Sequence, residues 1–206
     1  MKKYISYTEI LQIIKNKNVE LRHDVDISLK SAFNIAKLEK ESNVKSIFYI
    51  RFDCDYYNLL SLENQIIIKF LKENHEIGCH VDATNINNEN NLKNYLEFYN
   101  NIIPFDKFTF HINTEKTKSF GFIDKYENKS ILSKDYISDS RNSFTVDDLN
   151  KVIELHSYTL LIHPEWWDNS DFIFSDETGN KKLLNSLHLD ELYNKSIREI
   201  LGYTND

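Results

Sequence analysis

The chain has 206 residues, 41% of them hydrophobic, with 25 basic and 32 acidic side chains and a net charge of −7. That balance is typical of a globular protein with ample material for a core, and it argues against a surface built to bind nucleic-acid phosphates. No stretch approaches the roughly 18 apolar residues of a membrane helix. With four glycines and two prolines there is no linker, so residues 1–206 are read as one domain.

The first residues, Met1 to Tyr7, are basic but lack an apolar segment of signal-peptide length. Cys54 and Cys79 are isolated, which suits reduced thiols and a cytoplasmic location. Tyr7 to Lys15 has helical spacing through Ile10, Leu11, Ile13 and Ile14. The run through Val19, Leu21 and Val25 reads as a strand ending in Asp24 and Asp26, with Arg22 and His23 beside them. Alternation puts both aspartates on one face, where their charges repel unless a cation, a shared proton or a basic partner lies between them. The bland alternative is that Asp26 caps the following helix, which runs to Asn43.

Further on, Ser46 to Arg51 is a second strand, Leu60 to Glu73 an amphipathic helix and His75 to Val81 a third strand. Asn87 to Asn101 is helical and Lys107 to His111 is a fourth strand. Residues 112–134 suggest a short helix and one small strand. Asp135 to Asp139 is another strand end, and Thr145 with Asp148 forms a capping box opening a helix to Leu155. Tyr158 to His163 is a strand, followed by an acidic, aromatic loop and a final helix from Lys182 to Ile200.

Strands alternating with helices imply right-handed βαβ units and a parallel α/β sheet. Asp24, Asp26, His80, His111, Asp139 and His163 all fall at the C-terminal ends of expected strands, the edge where active sites of such sheets assemble. Carboxylates and imidazoles gathered there suit metal-assisted hydrolysis. Zinc takes Asp and His ligands, a second carboxylate serves as base and a histidine protonates the leaving group. His75, His156 and His188 read as ordinary surface or helix-end residues, and Cys79, opposite His80, as core.

Three segments, Asp24-Val25-Asp26, Asn74 to His80 and Leu160 to His163, together resemble the polysaccharide deacetylases of the NodB-homology fold, carbohydrate esterase family four. The likeness runs from about residue 18 to 167. It is nearest a divergent branch associated with surface-polysaccharide gene clusters, with Arg-His-Asp-Val-Asp, Ile137-Ser138-Asp139-Ser140-Arg141 and His163-Pro164-Glu165-Trp166-Trp167.

The resemblance implies a distorted (β/α) barrel of fewer than eight strands and an N-deacetylase of amino sugars. It makes Asp24 the base, Asp26 and His80 metal ligands and His163 the general acid, with Asp139 and Arg141 tuning the base and orienting that histidine. Trp166, Trp167 and Arg22 are expected at the substrate, with Tyr56 and Tyr57 as weaker candidates; plain packing is the equal alternative for the two tryptophans. One departure matters: the second metal histidine should fall at position 84, where this chain has Thr84. His111 is the expected replacement, with Asp82 and the less favourable His23 as alternatives. The competing reading makes His111 a loop or substrate hydrogen-bonder. Two other functions stay open, a carbohydrate-binding relative with a degraded metal site and a metal-free amidohydrolase.

Overall fold

The computed structural model describes residues 4–111, 120, 122–130, 135–140, 143–168, 172–174 and 181–183. Eleven strands and six α-helices lie along them, alternating as far as β5. In order they are β1 (Tyr4–Ile5), α1 (Tyr7–Ile14), β2 (Asn18–Val25), α2 (Leu29–Glu41), β3 (Ile47–Ile50), α3 (Leu62–Asn74), β4 (Glu76–Val81) and α4 (Glu89–Asn100). There follow β5 (Lys107–Phe110), β6 (Phe122–Ile123), β7 (Tyr126–Asn128), β8 (Tyr136–Ser138), α5 (Val146–Glu154), β9 (Ser157–Ile162), α6 (Pro164–Trp167), β10 (Phe172–Phe174) and β11 (Lys181–Leu183).

The main sheet has the order β6-β7-β5-β4-β3-β2-β9-β8. Seven of its strands are parallel and only β6 runs antiparallel, forming a curled half-barrel wrapped by helices. The expected α/β barrel-like sheet is therefore the observed one. A second, antiparallel sheet of order β1-β10-β11 was not foreseen. Its strands are two or three residues long, too short for a period to show. Lys182 and Leu183 lie in β11, so the expected final helix does not start there, and its remainder lies outside the described residues.

Helix starts are written in short polar side chains. Ser6 and Glu9 make a reciprocal capping box on α1, as do Thr145 and Asp148 on α5. Ser28 accepts from the Ser31 amide at the start of α2. The cap is thus Ser28, not Asp26, and the aspartate is left free for the sheet edge. The apolar stripe of α1 buries Tyr7, Ile10, Leu11 and Ile14, each large side chain contributing roughly 1.5–3 kcal/mol.

Strand alternation divides β2 between two environments. Leu21, His23 and Val25 face the helix layer, while Arg22 and Asp24 face the interior of the curl. His23 stacks on Phe48, and its Nε2 lies 2.6 Å from Glu39 Oε1 of α2. Ser46 donates to the other Glu39 oxygen at 2.6 Å, and the Tyr7 hydroxyl also donates to this carboxylate. Burial opposes the charge on Glu39, but His23 and these hydrogen bonds hold its carboxyl below the ordinary value. His75 belongs to the same cluster, with Nδ1 3.4 Å from Glu39 Oε2. It is a helix-end residue as expected but is buried rather than superficial, and burial lowers its pKa. His156 is exposed, Cys79 is buried, and His188 lies outside the described residues.

Inside the curl the glycine in β4 has a steric reason. A Cβ on Gly78 would lie 2.4 Å from Cδ1 of Tyr49, so only hydrogen fits beside that ring. The Arg22 guanidinium lies over the same ring, 4.9 Å from the Tyr49 centroid. Gly78, Tyr49 and Arg22 thereby form a floor beneath the strand ends.

Candidate active site at the strand ends

Strand order converts distant sequence positions into neighbours. β5, β4, β3, β2, β9 and β8 lie side by side and parallel, so their C-terminal ends share one rim. His111 follows β5, His80 lies in β4, Asp24 and Asp26 end β2, His163 follows β9 and Asp139 follows β8. The His111 amide donates to the Val81 carbonyl at 2.9 Å, which pins that residue beside the end of β4.

Asp26 Oδ1 is 2.9 Å from His111 Nδ1 and 3.4 Å from His80 Nε2, and the two nitrogens are 3.3 Å apart. Oδ1 is buried and lacks a hydrogen bond of good alignment. A divalent ion with ligands about 2.1 Å away separates them by about 3.0 Å at octahedral angles and about 3.4 Å at tetrahedral ones. The triangle therefore fits a cation, and the orphaned oxygen is what such a site leaves behind. His80 is fixed through Nδ1, 2.7 Å from Thr109 Oγ1, and the tautomer donating there turns the Nε2 lone pair toward the triangle.

Thr84 does not enter this cluster. Its hydroxyl donates to Asp82 Oδ1 at 2.7 Å, and the other Asp82 oxygen is 3.0 Å from Arg51. Asp82 is thus already committed, and His23 points to the opposite face, so of the three substitutes only His111 stands with Asp26 and His80.

Asp24 lies beside the triangle, its Oδ2 3.7 Å from His80 Nε2. Arg22 Nη2 donates to both of its oxygens, at 3.0 and 3.2 Å, and Nη1 donates to the Lys129 carbonyl at 3.0 Å. Burial opposes the Asp24 charge, but Arg22, then His80 and His163, outweigh it and hold the carboxyl below its ordinary value. The expectation of Arg22 at the substrate is corrected on this geometry. Its guanidinium is buried and both terminal nitrogens are engaged, Nη2 by Asp24 and Nη1 by the Lys129 carbonyl, so it acts on Asp24 from below. The i, i+2 spacing on one strand carried that signal. Arg141, expected to tune the base, lies outside the described residues.

His163 closes the other side, with Nε2 3.6 Å from Asp26 Oδ2. Its Nδ1 is 2.6 Å from Asp139 Oδ1, and its backbone amide donates to the same carboxylate. Burial alone would lower the imidazole, but Asp139 and then Asp24 and Asp26 push it up to about 10. Trp167 donates its indole N–H to Asp139 Oδ2 at 2.7 Å. It is buried against Tyr7 and Phe144, so the expectation of a sugar-stacking face there is also corrected: the indole braces Asp139. Trp166 remains half-buried with its ring 6.3 Å from that of His163.

Glu165 went unnoticed in the sequence reading. It is buried, and its Oε1 accepts from the Asp26 amide at 3.1 Å and the Ile27 amide at 2.9 Å. Burial, reinforced by the Asp26 charge, pushes its carboxyl up to about 8. Tyr56 and Tyr57 line a separate groove of about 530 Å³ with Phe52, Phe98 and Tyr99, and Tyr57 gives its hydroxyl to the Val25 carbonyl.

No family model and no curated protein matches the sequence. Solved structures do match. One is the Xyl-CE4 domain of a multidomain xylanase from the hindgut metagenome of Trinervitermes trinervoides, at 19% identity and TM-score 0.50, over 72% of this chain and 74% of that one. Another is a CE4 family pseudoenzyme from Bacillus anthracis, at 16% identity and TM-score 0.51, covering 90% of this chain. This chain spans 62% of the pseudoenzyme's length. A CE4 esterase from Streptococcus mutans matches at 12% identity and TM-score 0.51, over 78% of this chain and 80% of that one. Identities this low establish the shared fold, that of the CE4 polysaccharide deacetylases.

Proposed function

We propose that this chain, built on the CE4 deacetylase fold, hydrolyses a carbon–nitrogen amide bond, removing acetyl from an N-acetylated amino sugar in surface-polysaccharide metabolism. The observation that carries the reading is the triangle of Asp26, His80 and His111 flanked by Asp24 on one side and His163 on the other. Cytoplasmic residence and a single domain over residues 1–206 belong to the same proposal. No helix among the described residues is long and apolar enough to cross a membrane.

Asp26, His80 and His111 would hold a divalent cation, and one carboxylate with two imidazoles suits zinc. When bound, that ion supplies Lewis-acid polarisation of the amide carbonyl and acidifies water. The remaining work falls to side chains. Asp24, kept ionised by Arg22, takes a proton from the attacking water as its oxygen bonds to the acyl carbon. His163, held as imidazolium by Asp139, gives its Nε2 proton to the nitrogen as the carbon–nitrogen bond breaks, so the products are acetate and a free amine. The Asp139 carboxylate accepts from the His163 amide, the His163 ring and the Trp167 indole, which holds it against the imidazole. Trp166, with its ring 6.3 Å from that of His163, would meet the sugar.

The test is acetate release from N-acetylglucosamine oligomers by zinc-loaded protein, beside Asp24→Asn and His163→Ala variants. Release by the wild type and a loss of about 100-fold or more in each variant is expected. Sugar binding without acetate release would instead favour the carbohydrate-binding relative. Release undiminished after chelation would favour the metal-free amidohydrolase.

A further inference from the structure

The four residues after His163 do more than end a strand. Pro164–Trp167 form one helical turn, α6, lying against α2 and β2. Trp167, at its end, grips Asp139. Glu165 reaches in the other direction, and one oxygen takes both the Asp26 and Ile27 amides. These amides follow the last residue of β2, where no ladder partner or helix carbonyl among the described residues serves them. A buried amide left unpaired is costly, so the conformation of this turn depends on the acceptor supplied.

The consequence is directional. The Asp26 side chain leaves the backbone at the residue whose N–H Glu165 holds, and its Oδ1 must meet His111 and His80 at 2.9 and 3.4 Å. Rotation of that peptide by a few tens of degrees would carry the carboxylate out of the triangle. We infer that Glu165 is a positioning residue that fixes the backbone at Asp26 and so aims the aspartate into the metal triangle. The inference rests on the metal-binding reading above. The other Glu165 oxygen is buried with no hydrogen-bond partner among the described residues, so the acceptor role falls on one oxygen alone. A glutamine retains that oxygen and nearly the same shape, whereas an alanine removes it.

Two measurements on Glu165→Gln and Glu165→Ala decide the matter. The first is hydrogen exchange at the Asp26 and Ile27 amides of metal-free protein. Both should be protected in wild type and in Glu165→Gln, and both should exchange at least 10-fold faster in Glu165→Ala while amides in the middle of β4 keep their protection. The second is zinc affinity by chelator competition, where loss of such a supporting residue costs 10–100-fold. Glu165→Ala should weaken zinc by that range and Glu165→Gln by less than about 3-fold. Unchanged amide protection or unchanged zinc affinity in Glu165→Ala would overturn the inference, as would a Glu165→Gln protein that behaves like the alanine variant. If the wild type bound no zinc, the metal reading would fall, while the exchange data would still decide the backbone clamp. Global loss of protection in Glu165→Ala is met by the more shape-conserving Glu165→Met, for which the same two outcomes apply.

Discussion

Replacing Asp139 with asparagine removes one charge but leaves an oxygen able to accept from His163. The imidazole lies at about 10 because Asp139, 2.6 Å away, overcomes the cost of burial, with Asp24 and Asp26 adding to it. The rise from 6.5 to about 10 corresponds to about 5 kcal/mol in favour of the imidazolium, at 1.36 kcal/mol per pKa unit. His163 is only 9% exposed, so solvent screens this little. In Asp139→Asn the nearest remaining carboxylate contact is Asp26 at 3.6 Å, and the pKa should fall by at least about 2 units. The assay is an NMR titration of the His163 ring in metal-free protein, from pH 5 to 11. The linkage has a definite sign. A raised imidazole pKa gives stability that is complete below about 6.5 and lost as pH climbs through about 10. Wild-type stability should therefore decline across that window more steeply than that of Asp139→Asn. In the zinc-loaded protein the alkaline limit of acetate release should move to lower pH as well. A His163 pKa that moves by less than half a unit would refute the argument that Asp139 keeps the proton donor charged.

Two further substitutions probe the floor of the site. Gly78→Ala drives a methyl to 2.4 Å from the Tyr49 ring, and overpacking of that kind costs about 1–3 kcal/mol, seen as a melting point several degrees lower. The cost should shrink in a Tyr49→Leu background, and an unaltered melting point for Gly78→Ala alone would contradict the steric account. Arg22→Met leaves the buried Asp24 carboxylate without its cation, a loss of about 3–5 kcal/mol in urea unfolding at pH 7. Because the Asp24 pKa is depressed in the fold, the stability it contributes is present above the ordinary value of 3.8 and fades as pH falls further. The difference between Arg22→Met and wild type should thus narrow below that pH, and equal stability at pH 7 would refute the pairing.

The parallel sheet could be read in the sequence because its strands are β-branched and aromatic runs separated by well-capped amphipathic helices. The capping box at Thr145 marks one of those helix starts. The convergence of Asp24, Asp26, His80, His111 and His163 on one rim could be read because parallel strands put all their C-termini at the same edge. What escaped were contacts that depend on side-chain reach across the fold. Arg22 looked available to substrate, yet alternation put it under Asp24 on the same strand face. Trp167 could be a sugar platform or plain packing, and only the fold shows its indole N–H drawn inward by Asp139. His75 looked superficial because nothing in sequence pairs it with Glu39, 36 positions earlier along the chain. Glu165 carried no pattern at all, since its partners are backbone amides supplied by the end of another strand.

The central claim is that three side chains from three strand ends, His111 among them, make one cation site. Zinc stoichiometry and affinity, measured by elemental analysis and chelator competition on wild type, Asp26→Ala, His80→Ala, His111→Ala and Thr84→Ala, test it most directly. The account predicts one zinc per wild-type chain, loss of about 100-fold or more in affinity for each of the first three variants, and no change in Thr84→Ala, whose hydroxyl donates to Asp82 instead. A wild-type protein that binds no zinc, or a His111→Ala protein that binds it as tightly as wild type, would contradict it.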